Sequence, residues 1–216
     1  MKYKIFPIMI VTAAALFGFM AYILASWPPE NIDRLTSEGS TLETAAVVFY
    51  LIAALMGLGI VWKKRFSSRL WAVFTFAMFA AMGREMDLHK AFTDDSVLKS
   101  NFYADAAVPL VQKIGGMIFV LLLLFCAIYL IYTVFKRWRE LWLTNTTAWL
   151  ALCATGALVV GKTCDSWSRL FPFWQDLHHD YGVMFRLTEE SFETAGAFLF
   201  MVCAVSALLS VKKPAQ

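Results

Sequence analysis

The sequence predicts an all-α membrane protein: one polytopic domain over 1–216, built as a bundle of six transmembrane helices with both termini in the cytoplasm. Three observations carry this. Hydrophobic residues make up 60% of the 216, charged residues 16%, and mean hydropathy is +0.62; a soluble domain has roughly 45–50% and about 25%. Six segments stay apolar over the roughly 20 residues a helix needs to cross a bilayer. Lys and Arg gather on alternate connections between those segments. These features argue against a soluble enzyme, a disordered chain and a disulfide scaffold. The short alternating strands of a membrane barrel are missing from the pattern.

The first segment, 5–26, follows Lys2 and Lys4 and ends at Ala25 and Ser26, which resemble a cleavage region. Its apolar stretch of about 20 residues exceeds the roughly 7–15 of a signal peptide, so an uncleaved helix is expected. The second, 42–62, opens on Ser40-Thr41-Leu42-Glu43, the S-x-x-E pattern of a capping box. The third, 70–89, closes with Gly83-Arg84-Glu85-Met86-Asp87-Leu88-His89. There Arg84 and Asp87 share one helix face, and Glu85 and His89 another. The fourth, 106–135, follows Asp105, has Pro109 in its first turn and carries Lys113 two turns in. The fifth, 143–162, ends at Gly161-Lys162 with Cys164 and Asp165 just beyond. The sixth, 188–211, starts at Thr188-Glu189-Glu190, a cap followed by acids that a helix dipole favours. Glu193 lies one turn deeper.

Orientation follows from charge. The N-terminus, the second and fourth connections and the C-terminus hold 11 basic residues against one acid, Glu140. The other side holds 8 basic and 15 acidic residues. The basic side is cytoplasmic by the positive-inside rule. The pI of 8.7 conceals this polarity and gives no reason to expect nucleic acid as a partner. Trp62, Trp71, Trp138, Trp142 and Trp149 fall near the inner interface; Trp27, Tyr103, Trp167, Trp174 and Tyr181 fall near the outer one. Cys126, Cys153 and Cys203 lie within spans and Cys164 near the outer face; with no CxxC, packing is their expected role.

Counting back from the cytoplasmic anchors brings Glu43, Glu85, Asp87, Lys113, Lys162 and Glu193 to one outer level. Two short echoes accompany this. Leu42-Glu43-Thr44-Ala45 matches Phe192-Glu193-Thr194-Ala195, and Gly83-Arg84-Glu85-Met86-Asp87 matches Gly161-Lys162-Thr163-Cys164-Asp165 in its glycine, cation and aspartate. They suggest helical hairpins around a shared cavity. Capping is the plain reading of Glu43, Glu189 and Glu190. Asp87 and Asp165 fall at helix C-termini, where the dipole opposes an anion, so a cation is expected beside each. Ionisable groups at membrane depth are functional candidates.

The three histidines, His89, His178 and His179, all fall on the outer side, so no haem is expected. There is no G-x-S-x-G, H-E-x-x-H or P-loop. The reading that follows is an outward-facing acidic site at head-group level. Asp87, Asp165, Glu193 and Glu85 are its candidate catalytic groups. Glu43, Asp87, His89, Asp165 and Glu193 are candidate ligands for a divalent metal (Mg, Mn, Ca or Zn). Arg84, Lys90, Lys113, Lys162, Arg169 and Arg186 would hold an anionic group. The expected activity is a metal-assisted hydrolase or transferase on a phospholipid or polyprenyl-phosphate in a bacterial inner membrane. The alternatives are a proton- or cation-coupled transporter or channel, and a non-catalytic membrane partner or assembly factor. Expected partners are membrane lipids, with a protein partner or a homo-oligomer also open.

Overall fold

Apolar periodicity alone places helices well but locates their ends poorly, and the ends are where this chain carries its charge. The computed structural model describes residues 5–37, 39–63, 68–88, 96–136, 146–170 and 175–209. Among these, the regular elements are all helices: α1 (Ile5–Ser26), α2 (Pro29–Thr36), α3 (Thr41–Trp62), α4 (Ser68–Glu85), α5 (Ser100–Ala104), α6 (Leu110–Lys136), α7 (Thr146–Leu170) and α8 (Gln175–Leu209). Helices occupy each of the six predicted apolar segments. Among the described residues, four stretches are long and apolar enough to cross a bilayer: within 30–62, Leu110–Thr133, Thr147–Cys164 and Gly182–Leu209. The apolar stretch Ala14–Ser26 of α1 is shorter. The 18 residues of α4 include Arg69, Arg84 and Glu85, which lower its hydropathy.

The polar connections hold more helix than the sequence suggests. Segment 27–41 contains α2, which starts at Pro29 and buries Ile32. Segment 90–105 contains α5, whose Phe102 is fully buried. Segment 163–187 is largely the end of α7 and the beginning of α8. Helix α8 has 35 residues, about 50 Å at 1.5 Å per residue, whereas the hydrocarbon core is about 30 Å thick. It therefore projects well past an apolar layer. Val183 and Leu187, one turn apart on that projecting part, pack with Ile23 of α1 and Ile32 of α2.

The centre of the bundle is α3, α4, α7 and α8. Helix α8 packs along α7 on one flank and α3 on the other, and α3 packs along α4. Their shared core joins Tyr50, Ala53, Ala54 and Ile60 of α3, Trp71, Phe74 and Met78 of α4, Leu150 and Ala154 of α7, and Phe200, Cys203 and Ala204 of α8. Many of these residues are small. Helices in lipid gain by close backbone approach, which small residues allow. Gly196 is such a point: an added Cβ would lie 2.9 Å from Leu158 Cδ2 and 3.1 Å from the Ala154 carbonyl oxygen. Gly57 faces Thr75 Oγ1 in the same way across α3 and α4.

Helices α1 and α6 sit at the margin. Helix α1 leans lightly on α8, and α6 touches α4. Along α6, Val111, Ile118, Phe125 and Ile131 are all exposed. A water-soluble surface rarely carries a continuous apolar belt of this kind. Four helices fit to cross a bilayer, with apolar side chains turned outward, mark an integral membrane protein.

Gly196→Val should lower the thermal stability of the detergent-solubilised protein by about 1–3 kcal/mol through overpacking. Gly156 on α7 has no atom within 4 Å of an added Cβ. Gly156→Ala should leave stability unchanged or raise it by up to about 1 kcal/mol. Thermal unfolding followed by intrinsic fluorescence distinguishes the two; equal effects would contradict the close α7–α8 approach.

Candidate functional site

Glu193 is the centre of the charged end of the bundle. It belongs to α8, and its side chain is only 5% exposed. Its Oε2 accepts from Arg84 Nη2 of α4 at 2.7 Å. Its Oε1 lies 3.1 Å from Lys162 Nζ of α7, an ion pair without hydrogen-bond geometry. One buried carboxylate thus joins three helices. Arg84 also donates from Nε to Glu85 Oε1 at 3.2 Å, with Nη2 2.9 Å from the same oxygen. Lys162 donates to Glu189 Oε1 at 2.7 Å.

The local sequence explains why these groups meet. Glu189, Glu193 and Gly196 are spaced i, i+4, i+7 on α8, one face of a helix. Gly161 precedes Lys162, and a Cβ there would meet the Glu189 carbonyl oxygen at 3.1 Å and Glu193 Cγ at 3.2 Å. The missing side chain lets α7 come close enough for Lys162 to reach both acids. Around this core stand two more carboxylates. Glu190 lies within electrostatic reach of Glu193, Glu189, Glu85 and Glu43. Tyr50 of α3, 2% exposed, forms the floor and feels the charges of Glu85, Arg84 and Glu193. Among these described side chains, five carboxylates face two cations, leaving a formal excess of negative charge.

Glu43 belongs to this neighbourhood through the predicted cap. Ser40 Oγ accepts from Glu43 N at 3.3 Å. The Glu43 carboxylate turns back to Gly39 N at 2.6 Å instead of Ser40 N, which already donates to Ser37 O. The two echoed helix segments also touch: Thr194 Oγ1 donates to Leu42 O at 3.1 Å. The echoed cations, Arg84 and Lys162, grip the same carboxylate from opposite helices.

Other site residues stand differently from the expectation. Thr188 does not cap a helix, because α8 already runs from Gln175; its hydroxyl donates to Met184 O at 2.7 Å. Glu189 and Glu190 are therefore mid-helix acids, and Glu189 is an ion-pair partner that the capping reading missed. Asp165 is not at a helix end, since α7 continues to Leu170; the dipole argument does not apply to it. Asp87 does end a helix, but with a local reason. It has φ 51°; its N–H donates to Arg84 O at 3.0 Å, and Leu88 N–H to Gly83 O at 2.9 Å. This is a Schellman motif with Asp87 in the left-handed position, which Asp tolerates better than most residues. Leu88 lies over Gly83, where an added Cβ would be 3.4 Å from its Cδ1.

Lys113 opens α6 and forms no ion pair with the cluster among the described residues. Arg186 pairs with Asp33 at 3.2 Å on the exposed surface. His89 and Lys90 lie outside the described residues, as do the side chains of Asp165, Arg169, His178 and His179. Among the described residues, no three His, Cys, Asp or Glu side chains form a group suited to a metal ion; Glu85, Glu189 and Glu193 turn toward Arg84 and Lys162.

Loss of both cations should strand Glu193. Arg84→Met and Lys162→Met should each be tolerated, because the remaining cation still holds one oxygen. The double variant should cost about 3–5 kcal/mol, as for a buried charge left without its partner. Additive effects in a double-mutant cycle of thermal unfolding would contradict the shared carboxylate. Asp87→Gly should keep or raise stability, whereas Asp87→Val should lose about 1–2 kcal/mol to left-handed strain.

Compared with protein-family models, with curated proteins and with solved structures, the chain matches none.

Proposed function

We propose that this is a six-span protein of a bacterial inner membrane, with cytoplasmic termini and the Glu193 end facing the extracytoplasmic head groups. In this reading it is a metal-assisted hydrolase or transferase acting on a phospholipid or polyprenyl-phosphate. The observation that carries the reading is the excess of carboxylates around Glu193, closed in by two cations at one end of an otherwise apolar core. A divalent cation would complement the excess charge. Arg84 and Lys162, with side chains 38% and 43% exposed, would turn their outer N–H groups to a substrate phosphate. Lewis-acid activation of a phosphoryl group and of an attacking water is the chemistry such a cation would supply when bound. Glu85 or Glu190 would take the proton.

A one-sided site fits the rest of the core. Below Tyr50 the buried side chains of α3, α4, α7 and α8 are apolar apart from Thr75. A path for ions through the bundle would need polar groups along its length.

The test is phosphate-ester turnover by the purified protein in mixed micelles, with and without Mg²⁺, Mn²⁺, Ca²⁺ or Zn²⁺. Wild type should turn over a lipid phosphate only with a metal. Glu85→Gln and Glu190→Gln should lose about 10²–10⁴-fold in rate while melting near the wild-type temperature. Cation uptake by proteoliposomes without turnover would overturn the enzyme in favour of coupled transport.

A further inference from the structure

Helix α8 presents a second face, turned away from the ion pairs. Ser191, Thr194, Ala195 and Phe198 follow i, i+3, i+4, i+7. With Leu42 and Phe49 of α3 and Thr12, Leu16 and Phe19 of α1 they line an open-sided cleft of about 280 Å³. Its walls are almost wholly apolar. It is slightly smaller than the roughly 300 Å³ at which drug-sized pockets begin, and it is open along one side.

One polar group in this cleft is unexplained by folding. Ser191 is 2% exposed, and its Oγ has no hydrogen-bond partner. A helical serine usually relieves this by bonding the carbonyl four residues back. Thr188 does so on the same helix, and Thr194 reaches Leu42 O. A buried hydroxyl without a partner is costly to keep. A ligand with an acceptor at this point would remove that cost.

The level of the hydroxyl says which acceptor. Ser191 lies between Glu190 and Glu193, so it stands at the depth of the ion cluster. The cleft runs from it along α8 past Ala195 to Phe198, toward the apolar middle of the bundle. In a bilayer, the group that joins a polar head to an apolar chain at this boundary is the ester carbonyl. We propose that the cleft between α1, α3 and α8 holds one acyl chain of an ester-linked membrane lipid, with Ser191 Oγ–H donating to its carbonyl oxygen. This rests on the head-group-level reading of the Glu193 end and names the part of the lipid recognised beside it. Helix α1, lightly held on α8, forms the outer wall and lets the chain enter from the side.

The test compares binding of dioleoyl phosphatidylglycerol with its ether-linked counterpart to the full chain, delipidated in detergent and followed by native mass spectrometry. The ether keeps head group and chain but removes the carbonyl. Wild type should bind the ester about five-fold more tightly, the effect of one neutral hydrogen bond. Ser191→Ala should bind both lipids equally, and without lipid it should be as stable as wild type or more so. Ala195→Trp should fill the cleft and weaken both lipids about ten-fold or more. Equal binding of ester and ether by wild type would overturn the proposal, as would an ester preference that survives Ser191→Ala. If Ala195→Trp does not fold, the Ser191→Ala comparison decides. An ester preference without phosphate turnover in the preceding assay sinks the enzyme and leaves the cleft; turnover without the preference does the reverse.

Discussion

A carboxylate that is 5% exposed inside an apolar bundle must be compensated, and the compensation of Glu193 organises the charged end of this protein. Burying an ion costs several kcal/mol that only close, hydrogen-bonded counter-charges return. Arg84 supplies a hydrogen-bonded charge at 2.7 Å and Lys162 an ion pair at 3.1 Å, from two different helices. The requirement therefore ties the end of α4 and the Lys162 turn of α7 to α8. The same two cations then set the positions of Glu85 and Glu189. The side chains of Arg84 and Lys162 are themselves 38% and 43% exposed, so the network is dry at its centre and open at its rim.

Close approach between backbones makes this network reachable. Gly161 brings α7 to α8 beside the ion pairs, and Gly196 does so further along. An added Cβ at either place would meet atoms of the facing helix at 2.9–3.2 Å. Packing and electrostatics are thus coupled: glycines without side chains determine whether Lys162 reaches two acids. Helices α1 and α6, which lack such contacts with the core, lie at its edge. Their exposed side chains suit lipid, and the light packing of α1 on α8 leaves a cleft between them.

Much of this was legible in the chain. The six apolar segments gave six helices, because a run of apolar residues in lipid must satisfy its own backbone. The capping box at Ser40 and Glu43 formed because it needs only residues three apart. The gathering of Glu43, Glu85, Lys162 and Glu193 followed from counting residues at a constant rise per residue. Helix ends in the polar segments were less legible. Thr188-Glu189-Glu190 has the composition of a helix start, yet α8 passes through it, because Val183 and Leu187 find apolar partners on α1 and α2. Asp165 looked terminal because an apolar run ends at Gly161-Lys162, yet α7 continues to Leu170.

Sequence alone determined the class of the protein, the places of its long helices and the level at which its charges lie. Those properties depend on local composition and on helix geometry, which neighbouring residues carry. Only the tertiary structure decided that Arg84 and Lys162 share Glu193, that Asp87 closes a Schellman motif, and that Ser191 is buried without a partner. The first and last depend on which faces of separate helices meet, a matter of packing that spacing along one helix does not encode. The Asp87 turn depends on a backbone angle, φ 51°, that a residue other than glycine adopts only when the surrounding hydrogen bonds hold it there.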